Sequence, residues 1–123
     1  MRLHGEDHRE TFIAALNYAS SLGVLRRVEE AKSLLRKTIP VARRVLGESH
    51  EIAIKMLWIH AGVLYKDDSS TLDDLRELVN TLEDSARGAR RVYGGSHPFV
   101  VGTEYHIEKS RAALAARETP GSA

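Results

Sequence analysis

A four-residue pattern, Gly-x-x-His, recurs along the chain and constrains what it can fold into. It occurs as Gly5-Glu6-Asp7-His8, as Gly47-Glu48-Ser49-His50 and as Gly94-Gly95-Ser96-His97. His8 and His50 lie 42 residues apart, and His50 and His97 lie 47 residues apart. Self-similarity at a fixed period of this size is the sequence signature of a repeat architecture. We therefore predict structural units of about 42 residues, with a short insertion in the second.

The segments that precede the second and third patterns also resemble each other. At the 47-residue offset, Val28 aligns with Leu75, Ala31 with Leu78, Leu35 with Leu82, Ala42 with Ala89 and Val45 with Val92. Spacings of three, four and seven residues place such side chains on one face of an α-helix. Each unit is therefore predicted to be an antiparallel pair of helices, and the insertion is predicted to be a loop at residues 66–70.

These signals predict an all-α chain of five helices. The first hairpin spans 8–46, with helices at about 8–22 and 27–46, and the second spans 50–93, with helices at about 50–65 and 71–93. A capping helix over 98–117 begins at Pro98, because proline is tolerated in a first helical turn. We predict one repeat domain over residues 1–117 and a disordered tail over 118–123.

Composition narrows the classes of function. The 123 residues include 18 Lys and Arg against 17 Asp and Glu, whereas a dedicated nucleic-acid binder usually has a basic excess. The absence of cysteine excludes disulfides and thiolate metal sites. The most apolar run, 52–65, is interrupted by Lys55 and His60 and falls short of the about 20 residues of a membrane span. We therefore expect a cytoplasmic protein that binds no nucleic acid, membrane or cofactor.

The first unit resembles a known repeat family. Its segments Asn17-Tyr18-Ala19, Val28-Glu29-Glu30-Ala31 and Ala42-Arg43-Arg44-Val45-Leu46-Gly47-Glu48-Ser49-His50 carry the resemblance. They are similar to the tetratricopeptide repeat (TPR) of the kinesin-light-chain type, whose 42-residue units end in Leu-Gly-x-x-His. The second unit keeps Ala61 and Leu64 but has Leu78 in place of a small alanine, and the third has Glu108 where a small residue is expected. The resemblance implies an α-solenoid of two TPR-type helix hairpins and a capping helix.

In that family the first helices of the repeats line a concave face that holds peptides or partner helices. Carried over residue by residue, the resemblance implies a partner-binding surface made of Ile13, Leu16, Asn17, Ser20, Lys55, Trp58, Ile59, Tyr105, His106 and Lys109, together with Gly62 and Gly102. Aromatic rings supply contact area there, and Asn17 can pair with a peptide backbone. The sequence thus predicts a scaffold or adaptor that binds a protein or peptide partner and is not an enzyme.

Some of these residues have a second interpretation. Trp58 lies in a very apolar helix, where such a residue usually packs in a core. The histidines of the three patterns are interpreted as helix-start residues, because stacked repeats separate them by roughly 10 Å, too far for one metal. His106 lies near Glu104 and Glu108 in sequence, but no nucleophile motif or phosphate loop accompanies it. Alternatively, the same face is buried in a homodimer or a longer solenoid, and the chain is a structural element.

Overall fold

The computed structural model describes residues 5–118, with side chains from His8 onward. Five α-helices follow one another: α1 Gly5–Val24, α2 Val28–Leu46, α3 Glu51–Lys66, α4 Leu72–Tyr93 and α5 Pro98–Glu118. The described residues contain no strand, so the predicted all-α class with five helices is confirmed. None of these five helices combines the length and the apolar character needed to cross a bilayer.

The chain divides into two compact units, and the division falls inside α3, between His60 and Ala61. In the first unit α1 packs against α2, and in the second α4 packs against α5. The first core contains Phe12, Ala19, Leu22, Ala31, Leu35, Ile39, Ala42, Ile52, Ala53, Ile54, Met56 and Leu57. The second contains Ala61, Leu64, Leu75, Leu78, Val79, Leu82, Ala86, Ala89, Val100 and Ile107. The hairpin units 8–46 and 50–93 remain predictions.

The second helices, α2 and α4, bury most of the face that their spacing predicts. Of the aligned positions, Ala31, Leu35 and Ala42 of α2 and Leu75, Leu78, Leu82 and Ala89 of α4 are buried. Val45 and Val92, at the last aligned pair, are instead 42% and 62% exposed. The packed face therefore ends about one turn before each helix does.

The turns after α2 and α4 have the same backbone geometry. Gly47 has a φ of 105° and Gly94 a φ of 90°, a region that glycine adopts without the steric cost of a side chain. The N–H of Gly47 donates to the carbonyl of Arg43, and that of Gly94 donates to the carbonyl of Arg90. Each glycine thereby ends its helix and satisfies one of the last carbonyls.

The histidines that follow these glycines cap the next helices. Nδ1 of His50 accepts the backbone N–H of Ile52, and Nδ1 of His97 accepts that of Phe99, both at 3.1 Å. The first N–H groups of a helix have no partner within the helix, so an acceptor at this place stabilises the helix start. The interpretation of these two histidines as helix-start residues is therefore confirmed, with a capping role in addition.

The first Gly-x-x-His pattern is built differently, and some predicted bounds are wrong. α1 begins at Gly5 rather than at residue 8 and extends to Val24, so His8 lies inside the helix, near the ring of Phe12. Glu118, which the sequence placed in the disordered tail, is the last residue of α5, and its carboxylate pairs with Arg76 at 2.9 Å. Residues 119–123 of that predicted tail lie outside the described residues.

A loop connects α3 to α4 as predicted, but it spans residues 67–71 rather than 66–70, since Lys66 belongs to α3. The Ser70 hydroxyl donates to the Leu64 carbonyl at 2.7 Å near the end of α3. Thr71 then caps α4: its side chain accepts the N–H of Asp74, whose carboxylate accepts the N–H of Thr71 in return. The loop is also held by α5, because the Arg117 guanidinium donates to the Asp67 carbonyl at 2.6 Å.

A ladder of ion pairs joins α4 to α5. Its members lie seven residues apart on each helix: Arg76 pairs with Glu118, Glu83 with Arg111, and Arg90 with Glu104. The sign of the charge alternates along both helices, so a shift of one heptad would oppose like charges. Each exposed pair adds under about 1 kcal/mol, and the ladder acts mainly by fixing the register of the antiparallel pair.

Candidate functional site

The proposed binding residues of α1 are available on its surface. Ile13 is 37% exposed, Asn17 and Ser20 are exposed, and Leu16 is half-buried. They follow one another along one side of the helix, at spacings of three and four residues. The structure therefore exposes three of the four α1 side chains expected to contact a partner and partly buries Leu16.

The residues of α3 in the same set are less accessible than expected. Trp58 and Ile59 are half-buried. Trp58 is therefore neither fully buried in a core, as the alternative interpretation expected, nor fully exposed. The Lys55 ammonium is bonded to the Glu51 carboxylate at 2.6 Å. This hydrogen bond and the charge of Lys55 hold the pKa of Glu51 below its usual range, with smaller contributions from Arg9 and His50.

The second unit brings its candidate residues together in an aromatic cluster. His106 of α5 lies with its ring centroid 6.1 Å from that of Tyr65, at the end of α3, and 5.2 Å from that of Tyr105, which meets it edge-on. The Lys109 ammonium lies 5.5 Å from the centre of the Tyr105 ring, a separation at which a cation is attracted to the ring face. We call Tyr65, Lys66, Tyr105, His106 and Lys109 the Tyr65–Lys109 cluster.

Burial and charge keep two members of this cluster neutral. Burial raises the pKa of the Tyr65 hydroxyl, and the neighbouring Tyr105 raises it further. Burial also lowers the pKa of His106, and the positive charge of Lys66 adds to this effect. At neutral pH the His106 imidazole and the Tyr65 phenol are therefore uncharged, which suits contact with apolar or hydrogen-bonding groups.

The two lysines give the cluster a positive rim. Within residues 8–118, neither Lys66 nor Lys109 forms an ion pair with a carboxylate, although most arginines of the second unit do. Lys66 acts on His106 through its charge, and Lys109 lies over Tyr105. An anionic group placed at this rim gains two cations that have no competing acidic partner.

Gly62 lies about one turn before Tyr65 and Lys66 on α3, and its conformation is ordinary. A methyl group added at this position meets no atom within 4 Å, so helix packing does not require a glycine here. Glycine inside a helix costs roughly 0.5–1 kcal/mol relative to alanine. Because Gly62 has no side chain and lies beside the cluster, another chain can approach the α3 backbone closely at this position.

Sequence reasoning found only part of this site. It named Tyr105, His106 and Lys109, which the structure brings together, but it missed Tyr65 and Lys66. Both belong to the last turn of α3, where the sequence predicted Tyr65 as the last residue of the helix and Lys66 as the first residue of the loop. Their signal was available in hindsight, because Tyr65 lies three residues after Gly62, on the same helical face.

The structure offers no arrangement of metal ligands in its described part. No group of three or more histidine, aspartate or glutamate side chains is placed to hold one ion among the residues searched. Glu104 is engaged by Arg90, and Glu108 is exposed. The Tyr65–Lys109 cluster presents aromatic rings, ammonium groups and an imidazole.

Comparisons with known proteins add no relative to this description. No family model, no curated protein and no solved structure matches the chain.

Proposed function

We propose that the chain is a protein-interaction module, a scaffold or adaptor rather than an enzyme, that binds a peptide or partner helix on its first helices. The observation that carries this proposal is the Tyr65–Lys109 cluster, where rings and cations are gathered in a surface patch. Aromatic anchors beside hydrogen-bonding and charged groups are typical of protein-binding hot spots. The exposed residues of α1 and the half-buried Trp58 and Ile59 belong to the same proposal.

The cluster favours a peptide that carries carboxylates. Lys66 and Lys109 lack acidic partners within the described residues, and a neutral imidazole such as that of His106 has one hydrogen-bond donor and one acceptor. A carboxylate bound at this place would raise the pKa of His106. Once protonated, the His106 imidazolium would attract the carboxylate in addition to the two lysines. Binding should therefore tighten as the pH falls from about 7.5 towards about 5.5, provided the peptide remains ionised.

The test is a selection followed by a quantitative binding measurement. Panning a phage-displayed library of random peptides of about 12 residues on the immobilised chain should enrich sequences rich in Asp or Glu. Their affinity should fall at least about tenfold for Tyr105→Ala and for Lys66→Glu, measured by isothermal titration calorimetry. Asn17→Ala reports separately on whether α1 takes part.

A matched control is Lys37→Glu, which reverses a lysine on the exposed face of α2. It makes the same change in net charge as Lys66→Glu, so an effect of overall charge weakens binding in both variants. Selected peptides that bind the Tyr105→Ala and Lys66→Glu variants as tightly as the unmodified chain would place the site elsewhere.

Gly62→Ala separates binding from folding. The added methyl group meets open space and should stabilise α3 by roughly 0.5–1 kcal/mol, while it narrows the approach to the α3 backbone. We expect a variant that unfolds at higher urea concentration and binds the selected peptide more weakly.

The proposal extends to the architecture. We propose that the two predicted hairpins stack as TPR-type repeats of a solenoid and that the module acts in the cytoplasm. The matched turns at Gly47 and Gly94, each followed by a capping histidine, support a repeat.

A further inference from the structure

An open cavity lies between α4 and α5, on the side of the helix pair that carries the ion-pair ladder. Its volume is about 520 Å³, and the buried residues Ala86 and Ile107 are part of its lining. Two pairs of the ladder border it: Arg90–Glu104 and Glu83–Arg111. Seven residues separate these pairs on each helix, so they lie about 10.5 Å apart along the helix axes.

Arg87 and Glu108 line the same cavity between the two ion pairs. In the antiparallel register of the ladder, residue 87 stands level with residue 107, so Arg87 and Glu108 differ in level by about 1.5 Å. Arg87 pairs with Asp84 of its own helix, 3.5 Å away. Glu108 has neither an ion pair nor a hydrogen bond to any residue of the described range 8–118. The middle level of the ladder therefore holds a cation and an anion that are not bonded to each other.

The charges on α5 argue against an apolar helix as the occupant of this face. Three positions of α3, at the 47-residue offset, are at most 2% exposed: Leu57, Ala61 and Leu64. α5 carries charged residues at all three corresponding positions: Glu104, Glu108 and Arg111. A surface that covers this face must present charges of its own, because burial of a charge without a partner is costly.

We propose that a second copy of the chain docks on this face, in a homodimer whose two-fold axis runs between α4 and α5 and parallel to them. Each level of the ladder carries a cation on one helix and an anion on the other. The two-fold rotation lays α4 of one copy on α5 of the other, so each cation faces an anion of the second copy. A two-fold interface must be complementary to itself, and the ladder meets this condition at every level.

The charges also select the orientation of the two copies. A two-fold axis through the middle level and perpendicular to the helices would place Arg87 opposite its own copy and Glu108 opposite its own copy. The parallel axis instead forms two symmetric Arg87–Glu108 pairs between the copies. Charge complementarity of this kind fixes the register of an interface and suppresses other arrangements.

The interface is small and its contacts are mainly electrostatic, so the dimer is weak. Its few residues a side are well below the about 20–30 of a standard interface. We expect a dissociation constant on the order of 100 μM at about 20 mM salt, and a value at least about tenfold higher at about 500 mM salt. The inference is independent of the proposed function, because Tyr105, His106 and Lys109 lie on other sides of α5.

Sedimentation equilibrium on the full chain tests the inference. At about 20 mM salt the mean mass should rise reversibly from monomer towards dimer between about 10 μM and about 500 μM. At about 500 mM salt it should stay close to the monomer mass over the same range, because salt screens the exposed charges.

Charge reversal at the middle level gives the sharper test. Arg87→Glu and Glu108→Arg should each raise the dissociation constant at least about tenfold, because both symmetric pairs then oppose like charges. An equimolar mixture of the two variants should dimerise again, since one variant carries two anions at this level and the other two cations. Circular dichroism checks that both variants retain their helices.

Lys37→Glu is the matched control, because Lys37 is exposed on α2 and the substitution makes the same change in net charge as Arg87→Glu. It should leave the dissociation constant unchanged. A chain that remains monomeric at low salt over the whole concentration range would overturn the inference. So would a dimer that both middle-level variants leave intact, a mixture that associates no better than either variant alone, or a dimer that Lys37→Glu weakens equally.

Discussion

His106 illustrates how neighbours set the chemistry of one residue. Its position in the sequence gives it glutamates two residues away on either side, a setting that would favour the charged form. In the structure, burial and Lys66 dominate and lower the pKa of His106. The residue is therefore neutral where sequence proximity alone suggests a cation.

The lowered pKa of His106 makes stability depend on pH. The unfolded chain binds a proton near pH 6.5, whereas the folded chain resists protonation. The contribution of His106 is therefore fully present above that value and is lost as the pH falls towards the lower folded pKa. Urea unfolding followed by circular dichroism at pH 7.5, 6 and 5 should show a falling midpoint, and the fall should be smaller for His106→Gln.

The pH range over which His106 affects stability differs from that of Glu51. Glu51, whose pKa is lowered by Lys55, loses its contribution only as the pH falls below about 4.5. A decline between pH 6.5 and 5 that is identical in the unmodified chain and in His106→Gln would show that His106 is not held neutral by its surroundings.

At the scale of the elements, helix starts and helix ends were partly readable from sequence. Thr71 and the charges near the ends of α2 and α4 gave the right bounds to within a residue. The capping role of His50 and His97 at the starts of α3 and α5 was not foreseen, because histidine is not a usual capping residue. Their role depends on the preceding glycine turn, which places Nδ1 beside the free N–H groups.

Substitution of the capping histidines distinguishes the stability due to the capping hydrogen bond from that due to ring contacts. His50→Ala should cost about 1 kcal/mol, and His50→Asn should retain most of this stability, because asparagine accepts the same kind of bond. His97→Ala should cost more, since the His97 ring also contacts Tyr93 and Phe99 with centroids 4.6 Å away. Urea denaturation at pH 7.5 gives both values; equal losses for His50→Ala and His50→Asn would argue against a capping bond.

The ladder between α4 and α5 shows what helical periodicity leaves open. Heptad spacing can be found within each helix, but the pairing of Arg76 with Glu118 or of Glu83 with Arg111 requires the register of the two helices. The ladder favours that register over a shift of one heptad, and burial of residues such as Leu82, Ala89 and Val100 and the length of the turn at Gly94 act with it. Glu108, foreseen as a departure from the repeat, is exposed on α5.

The sequence by itself determined the five helices, their approximate bounds and the repeated turns. These features depend on interactions between residues close in the chain: apolar spacing, glycine conformation and end charges. The tertiary structure alone decided which side chains meet. Tyr65 contacts His106, which lies 41 residues later in the chain, and Lys66 helps to lower the pKa of His106. The Lys55 ammonium donates a hydrogen bond to the Glu51 carboxylate. Such contacts follow from how helices pack, and helical periodicity gives the direction of a side chain but not the identity of its neighbour.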